Sequence, residues 1–291
     1  MIFIDCKDCS KHYDNDPESS DRLEAVRSGA ESVGVQIVDN DRRATGDELE
    51  LVHTRRRVEQ TKRASNRGWS RLGPEIEGNE HTYDSSALAV GAVLEAIDRV
   101  VEGSVSHVFC NVRPPGHHSN QVMHRGFCVF NSVAVGARYA QSKGFERVAI
   151  VDWDVHHGNG TETIFRKDST VFYGSIHMCG YPGTGSDSRP EYQTFNHMLR
   201  NGVTYDDGYS DAFDLLLGEL RLFDPKLVLI SCGFDAHIDD PYGDFSLESE
   251  DFGKLTKSLM RVCPLIVSVL EGGYNFEAIE ESTVAHLTAL M

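Results

Sequence analysis

Short apolar runs rich in Val and Ile alternate with amphipathic segments along the whole chain, and this alternation limits the possible folds most strongly. Strands that are buried on both faces have such continuous apolar runs. Seven segments are predicted to be strands: Ile2–Ile4, Val35–Val38, His107–Cys110, Val148–Val151, Val171–Ile176, Leu227–Ile230 and Leu265–Leu270. Their alternation with helices predicts an α/β fold with a central, mostly parallel sheet flanked by helices.

The segments between these runs have helical periodicity. Apolar residues recur three or four positions apart in one of them: Val90, Val93, Leu94, Ile97 and Val101. Another helix is predicted to begin after a cap at Asn131 and to end at Gly144. Two more are predicted over Ser210–Leu222 and Leu247–Arg261. No repeat and no Pro/Gly/Ser linker divides the sequence, so we expect one domain over residues 1–291.

The charge balance is strongly acidic. The chain has 28 Lys and Arg against 45 Asp and Glu, which gives a formal net charge of −17. An acidic surface repels phosphate backbones and suits a cationic partner, so direct nucleic-acid binding is not expected. No apolar run reaches the roughly 20 residues of a membrane span, so no membrane association is expected. The short run Arg55-Arg56-Arg57 is interpreted as a solvated helix face.

The cysteines bear on the compartment. Seven of them, an odd number, are scattered through a long chain, which indicates reduced thiols rather than a disulfide framework. The N-terminus lacks a basic segment ahead of an apolar one, so no secretory signal is visible. We therefore expect a cytoplasmic protein, with the nucleus not excluded. Cys6, Cys9 and His12 make half of a metal-binding hook, but the second ligand pair is missing, and we interpret the two cysteines as an incidental pair.

Chemically active side chains follow four of the predicted strands, next to glycines. These segments are Asn111–His118, Asp152–Gly160, Ser231–His237 and Glu271–Tyr274. In open α/β sheets, ligands bind outside the carboxyl ends of the strands. Asp152, Asp154 and His156 alternate at a spacing that shares one face of an extended chain, so at least two can converge on a metal ion. Asp235 can supply a third ligand, which leaves the open position that catalytic zinc requires. Taken singly, each motif is also compatible with turn and capping residues.

Six motifs together resemble the zinc-dependent histone deacetylase family, which includes the acetylpolyamine amidohydrolases. They are Arg113-Pro-Pro-Gly-His-His, Gly126-Phe-Cys-Val-Phe-Asn, Asp152-Trp-Asp-Val-His-His-Gly-Asn-Gly, Tyr181-Pro-Gly-Thr-Gly, Gly233-Phe-Asp-Ala-His and Glu271-Gly-Gly-Tyr-Asn. They occur in the order found in the family. The Asp-Trp-Asp and Glu-Gly-Gly-Tyr sequences resemble the class II branch more than class I. The resemblance implies the arginase/deacetylase fold with an eight-stranded sheet, so one strand is still to be located.

The resemblance also implies the metals. Asp154, His156 and Asp235 match the ligands of one catalytic zinc ion. The family binds a structural potassium ion as well, through side chains and backbone carbonyls. The matching residues are Asp152, Asp154, His156, Ser175 and Ile176, and a second potassium site would use Phe165 and Val171.

By the same resemblance, His118 is the general base and acid, and His117 is its buried electrostatic partner. Asp152 would orient His117, and Asn159 would orient His118 at a position where the class I branch has Asp. Tyr274 matches the tyrosine that stabilises the oxyanion. Three other histidines are interpreted as structural: His53, His157 and His237.

Substrate residues follow from the same match. Gly126, Phe127 and Tyr181 correspond to a tunnel that grips the aliphatic stem of acetyl-lysine, and Tyr181 replaces the Phe usual in class I. Acidic Glu75, or Glu77, falls near the carboxylate that holds the peptide backbone. Tyr242 stands where a polyamine-selective relative has Glu. The glycine-rich stretch usual after Pro-Gly-Thr-Gly is replaced by Ser186–Leu199, which we expect to be a loop that alters the rim and the acyl pocket.

Four functions are compatible with these residues. The first is a zinc deacetylase that acts on acetyl-lysine, or another acyl-lysine, in proteins or peptides. The second is a deacetylase of acetylated polyamines or other small amides. The acidic charge of the chain suits a cationic substrate of this kind. An arginase-like dimanganese hydrolase would not need the tandem histidines or Tyr274. A non-catalytic acyl-lysine binding protein would be expected to lack a ligand, a histidine or the tyrosine. The sequence leaves the physiological substrate and the oligomeric state open.

Overall fold

The central sheet has eight strands, and all of their pairings are parallel. The computed structural model describes the backbone of residues 1–291 and every side chain except that of Pro190. The strands are β1 (Ile2–Asp5), β2 (Ile37–Asp39), β5 (His107–Asn111), β6 (Val148–Asp152), β7 (Val171–Met178), β8 (Thr194–Leu199), β9 (Leu227–Cys232) and β10 (Ile266–Leu270). Their order is β2-β1-β5-β10-β9-β6-β7-β8. The α/β fold with an eight-stranded sheet is therefore confirmed.

A short antiparallel hairpin lies outside this sheet. Its strands are β3 (Ser70–Gly73) and β4 (Ile76–Gly78). The helices are α1 (Asp21–Val33), α2 (Gly46–Leu49), α3 (Arg55–Ser65), α4 (Thr82–Val101), α5 (Ser132–Ser142), α6 (Asn159–Phe165), α7 (Ser210–Phe223), α8 (Ser249–Met260) and α9 (Phe276–Leu290). Among the described residues, no helix combines the length and the apolarity needed to cross a membrane.

The apolar runs form the strands because both faces of the sheet are covered. Every residue of β6, β9 and β10 is buried, as continuous Val, Ile and Leu runs require. The seven predicted strands are all present, although the second is Ile37–Asp39 rather than Val35–Val38. The eighth strand, β8, lies within the segment that we expected to be a loop. Edge strands alternate between buried and partly exposed positions, so Thr194–Leu199 has no continuous apolar run to mark it.

Two predictions about the N-terminal third are wrong. Cys6 and Cys9 are buried in the turn after β1 and form a disulfide, so they are neither an incidental pair of thiols nor a metal hook. The expectation of reduced thiols holds for the other five cysteines, which are free. The second prediction is wrong for one residue of three: Arg55 and Arg56 are exposed on α3 as expected, but the side chain of Arg57 turns inward and is only 2% exposed.

Candidate active site

The carboxyl ends of four central strands meet around one cavity of about 300 Å³. These strands are β5, β6, β9 and β10, which are neighbours in the sheet. The cavity is lined by Glu75, Pro115, His117, His118, Gly126, Phe127, His156, Met178, Tyr181, Tyr242, Gly272 and Tyr274. Residues that are far apart in the sequence therefore come together where a parallel sheet is expected to bind its ligand.

Three potential metal ligands converge beside this cavity. One donor atom from each of Asp154, His156 and Asp235 lies within 4.8 Å of the others. Nδ1 of His156 lies 3.2 Å from Oδ1 of Asp154 and 3.0 Å from Oδ2 of Asp235. The turn after β6 brings Asp154 and His156 together, because the strand already ends at Asp152. The alternating spacing therefore predicted the right pair, but the chain between them is not a strand.

The electrostatics of this trio fit a bound cation. Burial raises the pKa of Asp235, and the neighbouring charge of Asp154 raises it further, to about 7. Burial lowers the pKa of His156, but hydrogen bonds to Asp154 and Asp235 outweigh it and raise that pKa to about 10. A proton on His156 compensates only one of the two buried carboxylates, and a divalent ion would compensate both. Two carboxylates and an imidazole are also a donor set typical of catalytic zinc.

Glycine keeps the space around the two carboxylates open. A Cβ atom on Gly233 would overlap Oδ2 of Asp154, and one on Gly272 would overlap Oδ2 of Asp235. The amide of Gly272 donates to Oδ2 of Asp154 at 2.8 Å. The amide of Val155 donates to Oδ1 of Asp235 at 2.8 Å. These amides fix the carboxylates and leave the oxygens nearest His156 directed toward the candidate metal position.

His117 is held by a carboxylate. Its Nδ1 lies 3.2 Å from Oδ2 of Asp152, and its Nε2 lies 3.7 Å from Oδ1 of Asp154. Burial lowers the pKa of His117, but the charges of Asp154 and Asp152 outweigh burial and raise the pKa well above its ordinary value. The buried carboxylate of Glu271 accepts hydrogen bonds from the amides of Gly116 and His117 at 2.7 and 3.1 Å. The two carboxylates therefore favour a protonated His117 imidazole at the base of the cavity.

His118 has a different partner. Its Nδ1 lies 2.8 Å from Oδ1 of Asn159, the first residue of α6. The ring centroids of His117 and His118 are 4.0 Å apart. Burial and the charges of His117 and His156 lower the pKa of His118 well below its ordinary value. A neutral imidazole that donates from Nδ1 leaves Nε2 free to accept a proton.

Tyr274 approaches the cavity from the loop between β10 and α9. The glycines before it allow this path, since Gly273 has φ +114°, and Asn275 then caps α9 through the amide of Ala278 at 3.0 Å. The guanidinium of Arg22 lies 5.1 Å from the centre of the Tyr274 ring. Burial raises the pKa of Tyr274 well above its ordinary value, although Arg22 opposes the shift. The phenol therefore stays protonated and can donate a hydrogen bond.

Gly126, Phe127 and Tyr181 surround the cavity above the histidines. Gly126 and Phe127 both have positive φ angles, +54° and +62°. The ring of Phe127 lies 6.3 Å from that of Tyr274, and the ring of Tyr181 lies 5.2 Å from that of His118. A Cβ atom on Gly126 would come within 2.5 Å of the His118 ring and 2.8 Å of the Tyr181 hydroxyl. Only glycine fits at this position without displacing the imidazole.

The mouth of the cavity carries Glu75 and Tyr242. Glu75 lies in the turn of the β3–β4 hairpin, and its carboxylate accepts a 2.6 Å hydrogen bond from the hydroxyl of Tyr181. Glu77, the alternative left open by the sequence, instead accepts from the indole of Trp69 at 3.1 Å. The exposed ring of Tyr242 packs against that of Tyr274 at 5.2 Å. Glu75 rather than Glu77 therefore faces the cavity.

Three of the residues matched to potassium lie on the neighbouring strands β6 and β7. Asp152 and Ser175 are register partners on β6 and β7, and Ile176 follows Ser175 on the same strand. Oδ1 of Asp152 is buried and has no hydrogen-bond partner among the described residues. The hydroxyl of Ser175 lies 2.9 Å from Nδ1 of His177. The unsatisfied oxygen on Asp152 is compatible with a cation, since oxygen ligands suit hard ions.

The three histidines interpreted as structural each have a hydrogen-bond partner on a neighbouring residue. Nδ1 of His53 lies 3.0 Å from the carbonyl of Asn120, and Nδ1 of His157 lies 2.7 Å from the Thr184 hydroxyl. Nε2 of His237 lies 3.1 Å from the hydroxyl of Ser249. These rings are buried and do not line the cavity.

The structure corrects one expectation about the cavity. We expected Ser186–Leu199 to reshape the rim and the acyl pocket. The structure places Thr194–Leu199 in β8 at the sheet edge, and no described residue of 186–199 lines the cavity. Residues 186–189 do lie in a loop, so the expectation was wrong for Thr194–Leu199 and for the lining of the cavity.

The roles of several residues around the site were not predicted. Met178 lines the cavity at the end of β7, where nothing in the sequence distinguishes it from a core residue. Arg22 donates to the carbonyl of Gly273 at 2.5 Å and to that of Glu271, and forms a buried ion pair with Glu18 at 3.0 Å. Glu18 also pairs with Arg113 at 2.6 Å. The Glu18 to Arg22 spacing of one helical turn was the available signal, but it does not reveal a partner 250 residues away.

The comparisons with known proteins agree with this geometry. A family model described as histone deacetylase domain matches residues 16–290. Histone deacetylase 6 of Caenorhabditis elegans is 37% identical over 299 residues, which cover 94% of this chain and 31% of that protein. Polyamine deacetylase HDAC10 of Danio rerio is 33% identical over 270 residues, which cover 86% of this chain and 40% of that protein.

A solved structure is also similar. The crystal structure of the HDA15 HD domain has a TM-score of 0.93 and 32% sequence identity, and the match covers 99% of this chain and 87% of that one. Histone deacetylase 15 of Arabidopsis thaliana is 35% identical over 290 residues, which cover 94% of this chain and 52% of that protein. The chain thus spans 31% to 52% of the length of these three curated relatives.

Proposed function

The chain belongs to the histone deacetylase family, and from this premise we propose that it is a zinc-dependent hydrolase that removes acetyl or other acyl groups from lysine side chains of proteins or peptides. One observation supports this most strongly. The metal trio Asp154, His156 and Asp235 adjoins the same cavity as His118 and Tyr274. A metal site, a proton acceptor and a hydroxyl donor on one cavity are the groups that amide hydrolysis requires.

Zinc would be held by Asp154, His156 and Asp235, whose donor set and charge balance fit it. When bound, zinc polarises the amide carbonyl and lowers the pKa of a water molecule toward about 7. We propose that potassium binds beside Asp152, Ser175 and Ile176 as a structural ion. The unpartnered Oδ1 of Asp152 supports that assignment.

His118 would move the protons. Its neutral ring accepts a proton from the attacking water at Nε2 and later delivers it to the nitrogen of the leaving lysine. Asn159 fixes the required tautomer, since its Oδ1 accepts the hydrogen on Nδ1. His117 stays charged between Asp152 and Asp154, and stabilises the negative charge that develops during the reaction.

Tyr274 would donate its hydroxyl hydrogen to the oxyanion of the tetrahedral intermediate. Phe127 and Tyr181 would enclose the aliphatic stem of the substrate and exclude water from it. Glu75 would accept a hydrogen bond from the substrate at the mouth with the oxygen that Tyr181 does not occupy.

A second substrate class has independent support. Polyamine deacetylases are among the relatives, and the net charge of −17 would attract a polycation. Tyr242 at the mouth provides no charge for a second ammonium group, which favours the lysine substrate. Acetylated polyamines are therefore the alternative to be tested beside acetyl-lysine.

The test is amine release by zinc-loaded protein from a paired panel of acetyl-lysine peptides and acetylated polyamines, with longer acyl groups included. Chelator-sensitive turnover of the peptides would support the proposal. Turnover of polyamines alone would replace the substrate class. Absence of turnover across the panel, with one zinc bound per chain, would overturn the enzymatic function and favour a binding protein. Two manganese ions per chain would instead favour an arginase-like hydrolase.

A further inference from the structure

One buried carboxylate holds two of the three tyrosines that line the cavity. Asp240 is 5% exposed and lies in the loop between β9 and α8. Its Oδ2 accepts from the amide of Tyr274 at 2.6 Å and from that of Asn275 at 3.4 Å. Its Oδ1 accepts from the amide of Tyr242 at 2.9 Å. Three backbone donors on two separate loops thus converge on a single side chain.

A purely local role explains only part of this arrangement. The bond from the Tyr242 amide spans two residues, as in the common turn in which an aspartate caps its own loop. The bonds from Tyr274 and Asn275 span 34 and 35 residues. They join the loop after β9 to the loop after β10, so a turn formed by Asp240 alone does not account for them.

The loop that carries Tyr274 needs such an anchor. Gly272 and Gly273 precede the tyrosine, and glycines do little to fix the backbone. Arg22 holds the carbonyls of Glu271 and Gly273 from one side, and Asp240 holds the amides of Tyr274 and Asn275 from the other. The backbone on both sides of the Gly273–Tyr274 peptide is therefore fixed by two charged groups buried in the protein.

The same carboxylate places the mouth residue against the oxyanion donor. With its amide held by Asp240, Tyr242 packs its ring 5.2 Å from that of Tyr274 in an edge-to-face arrangement. Tyr274 in turn lies between this ring, that of Phe127 and the guanidinium of Arg22. The hydrogen bond from its amide and the contacts of its ring together restrict the position of the Tyr274 phenol.

We propose that Asp240 is a positioning residue for the deacylation reaction, which sets the Tyr274 hydroxyl at the site of the developing oxyanion and couples it to Tyr242 at the mouth. The inference rests on the proposed function, because it assumes that Tyr274 is the oxyanion donor. Asp240 itself lines neither the cavity nor the metal site. It acts through backbone hydrogen bonds.

The experiment combines Asp240→Asn and Asp240→Ala with Tyr274→Phe. In the wild-type background we expect kcat for an acetyl-lysine peptide to fall about 10-fold for Asp240→Asn and about 100-fold for Asp240→Ala, approaching the loss of one oxyanion donor. In the Tyr274→Phe background the same substitutions should change kcat less than about 2-fold, because the hydroxyl that they misplace is already absent. Asp239→Asn is the matched control, since its side chain is exposed and its backbone carbonyl is kept.

Two further measurements separate positioning from a general loss of structure. A trifluoroacetyl-lysine peptide has a more electrophilic carbonyl and depends less on the oxyanion donor. Asp240→Asn should therefore lower kcat less for this peptide than for the acetyl peptide. Zinc affinity and the melting temperature should stay near those of Asp239→Asn. If Asp240→Ala does not fold, the isosteric Asp240→Asn decides the test.

The outcomes are distinct. Equal losses of kcat in the wild-type and Tyr274→Phe backgrounds would overturn the positioning role, as would equal losses for the acetyl and trifluoroacetyl peptides. Recovery of Asp240→Asn at saturating zinc would also overturn it, because the effect would then act through the metal. Wild-type protein that turns over neither peptide would overturn the proposed function and this inference together.

Discussion

Oδ1 of Asn159 lies 2.8 Å from Nδ1 of His118, whereas the equivalent nitrogen of His117 faces the carboxylate of Asp152 at 3.2 Å. The two neighbouring imidazoles thus have partners of different charge. A carboxylate favours a charged ring, and an amide orients the ring without favouring its charge. This asymmetry supports the proposed roles, in which His118 transfers the protons and His117 stabilises charge.

Replacing Asn159 with Leu should lower kcat/KM by about 10-fold or more, because the shape is kept but the group that selects the tautomer of His118 is lost. Leu also leaves the buried Nδ1–H of His118 without an acceptor, so the melting temperature should fall, in line with a cost of about 1–3 kcal/mol. Steady-state kinetics and thermal unfolding of the two proteins check both expectations. Unchanged kcat/KM in Asn159→Leu would contradict the role of this amide.

Replacing Gly126 with Ala should abolish most activity. The new Cβ would lie within 2.5 Å of the His118 ring and 2.8 Å of the Tyr181 hydroxyl, so both groups must move. Displacement of a reacting group by about 1 Å can cost about 100-fold in rate, and we expect a loss of that size in kcat/KM.

The matched control is Gly68→Ala. Gly68 also has a positive φ, +84°, but nothing lies within 4 Å of its Cβ position. Gly68→Ala therefore measures the effect of backbone strain alone, without a steric contact of the new Cβ. The prediction is wrong if the two variants lose similar activity.

The sequence predicted the sheet and the strand ends around the candidate site well, because both depend on local signals. Buried parallel strands need continuous apolar runs, and their carboxyl ends bear the motif residues. The loop that contains β8 was misjudged because an edge strand has no such run. The disulfide of Cys6 and Cys9 was missed because a count of cysteines does not show which ones lie side by side.

The roles of Arg57 and Asp240 could not be predicted for another reason. Each side chain binds backbone groups that are distant in the sequence. Backbone groups are the same for nearly every residue type, so the sequence gives no signal for these contacts. Arg57 looked like one member of a basic run, and Asp240 like one of two aspartates before a proline. Only the folded chain shows which of these neighbours points inward.

Arg57 should be essential for stability. Its guanidinium donates to the carbonyls of Asn120, Met123 and Val129 and to the hydroxyl of Ser119. Burial lowers its pKa to about 9. Arg57→Met removes these donors and leaves buried carbonyls unsatisfied, so the free energy of unfolding should fall by about 3 kcal/mol.

Urea denaturation measures that change, and Arg56→Met is the control because Arg56 is exposed on the same helix. The segment that Arg57 holds also carries Phe127, so KM should rise in Arg57→Met. Equal stability of the two variants would contradict the prediction.

Stability should decrease in acid because of buried neutral histidines. His286 lies between the hydroxyls of Thr256 and Ser268, at 2.6 and 2.8 Å, and burial lowers its pKa to about 3. Below its unfolded pKa of about 6.5 the unfolded chain binds a proton that the folded chain does not, so stability is lost as the pH falls from there toward 3. At pH 5 this one group should cost about 2 kcal/mol.

His286→Gln should remove that part of the pH dependence while a polar side chain is kept. Urea denaturation of both proteins at pH 7.5 and pH 5 gives the difference in slope. Identical slopes would mean that the imidazole is protonated in the folded protein.

Removal of the metal should reveal the cost of holding Asp154 and Asp235 together. Both carboxylates are buried, and the charge of Asp154 contributes to raising the pKa of Asp235 to about 7. Asp235→Asn at pH 8 removes one of the two like charges but keeps an oxygen that accepts from the Val155 amide. The metal-free variant should therefore unfold at a higher temperature than the metal-free wild type.

Zinc should reverse this order. A ligand that binds only the folded state raises the unfolding temperature in proportion to the logarithm of its concentration over Kd, and the wild type should show this increase. Asp235→Asn should not, because one of three ligands is lost. Asp239→Asn, four residues along the chain and exposed, should respond like the wild type. An equal zinc response in Asp235→Asn would show that the metal binds elsewhere, because the loss of one of the three ligands must weaken binding at the proposed site.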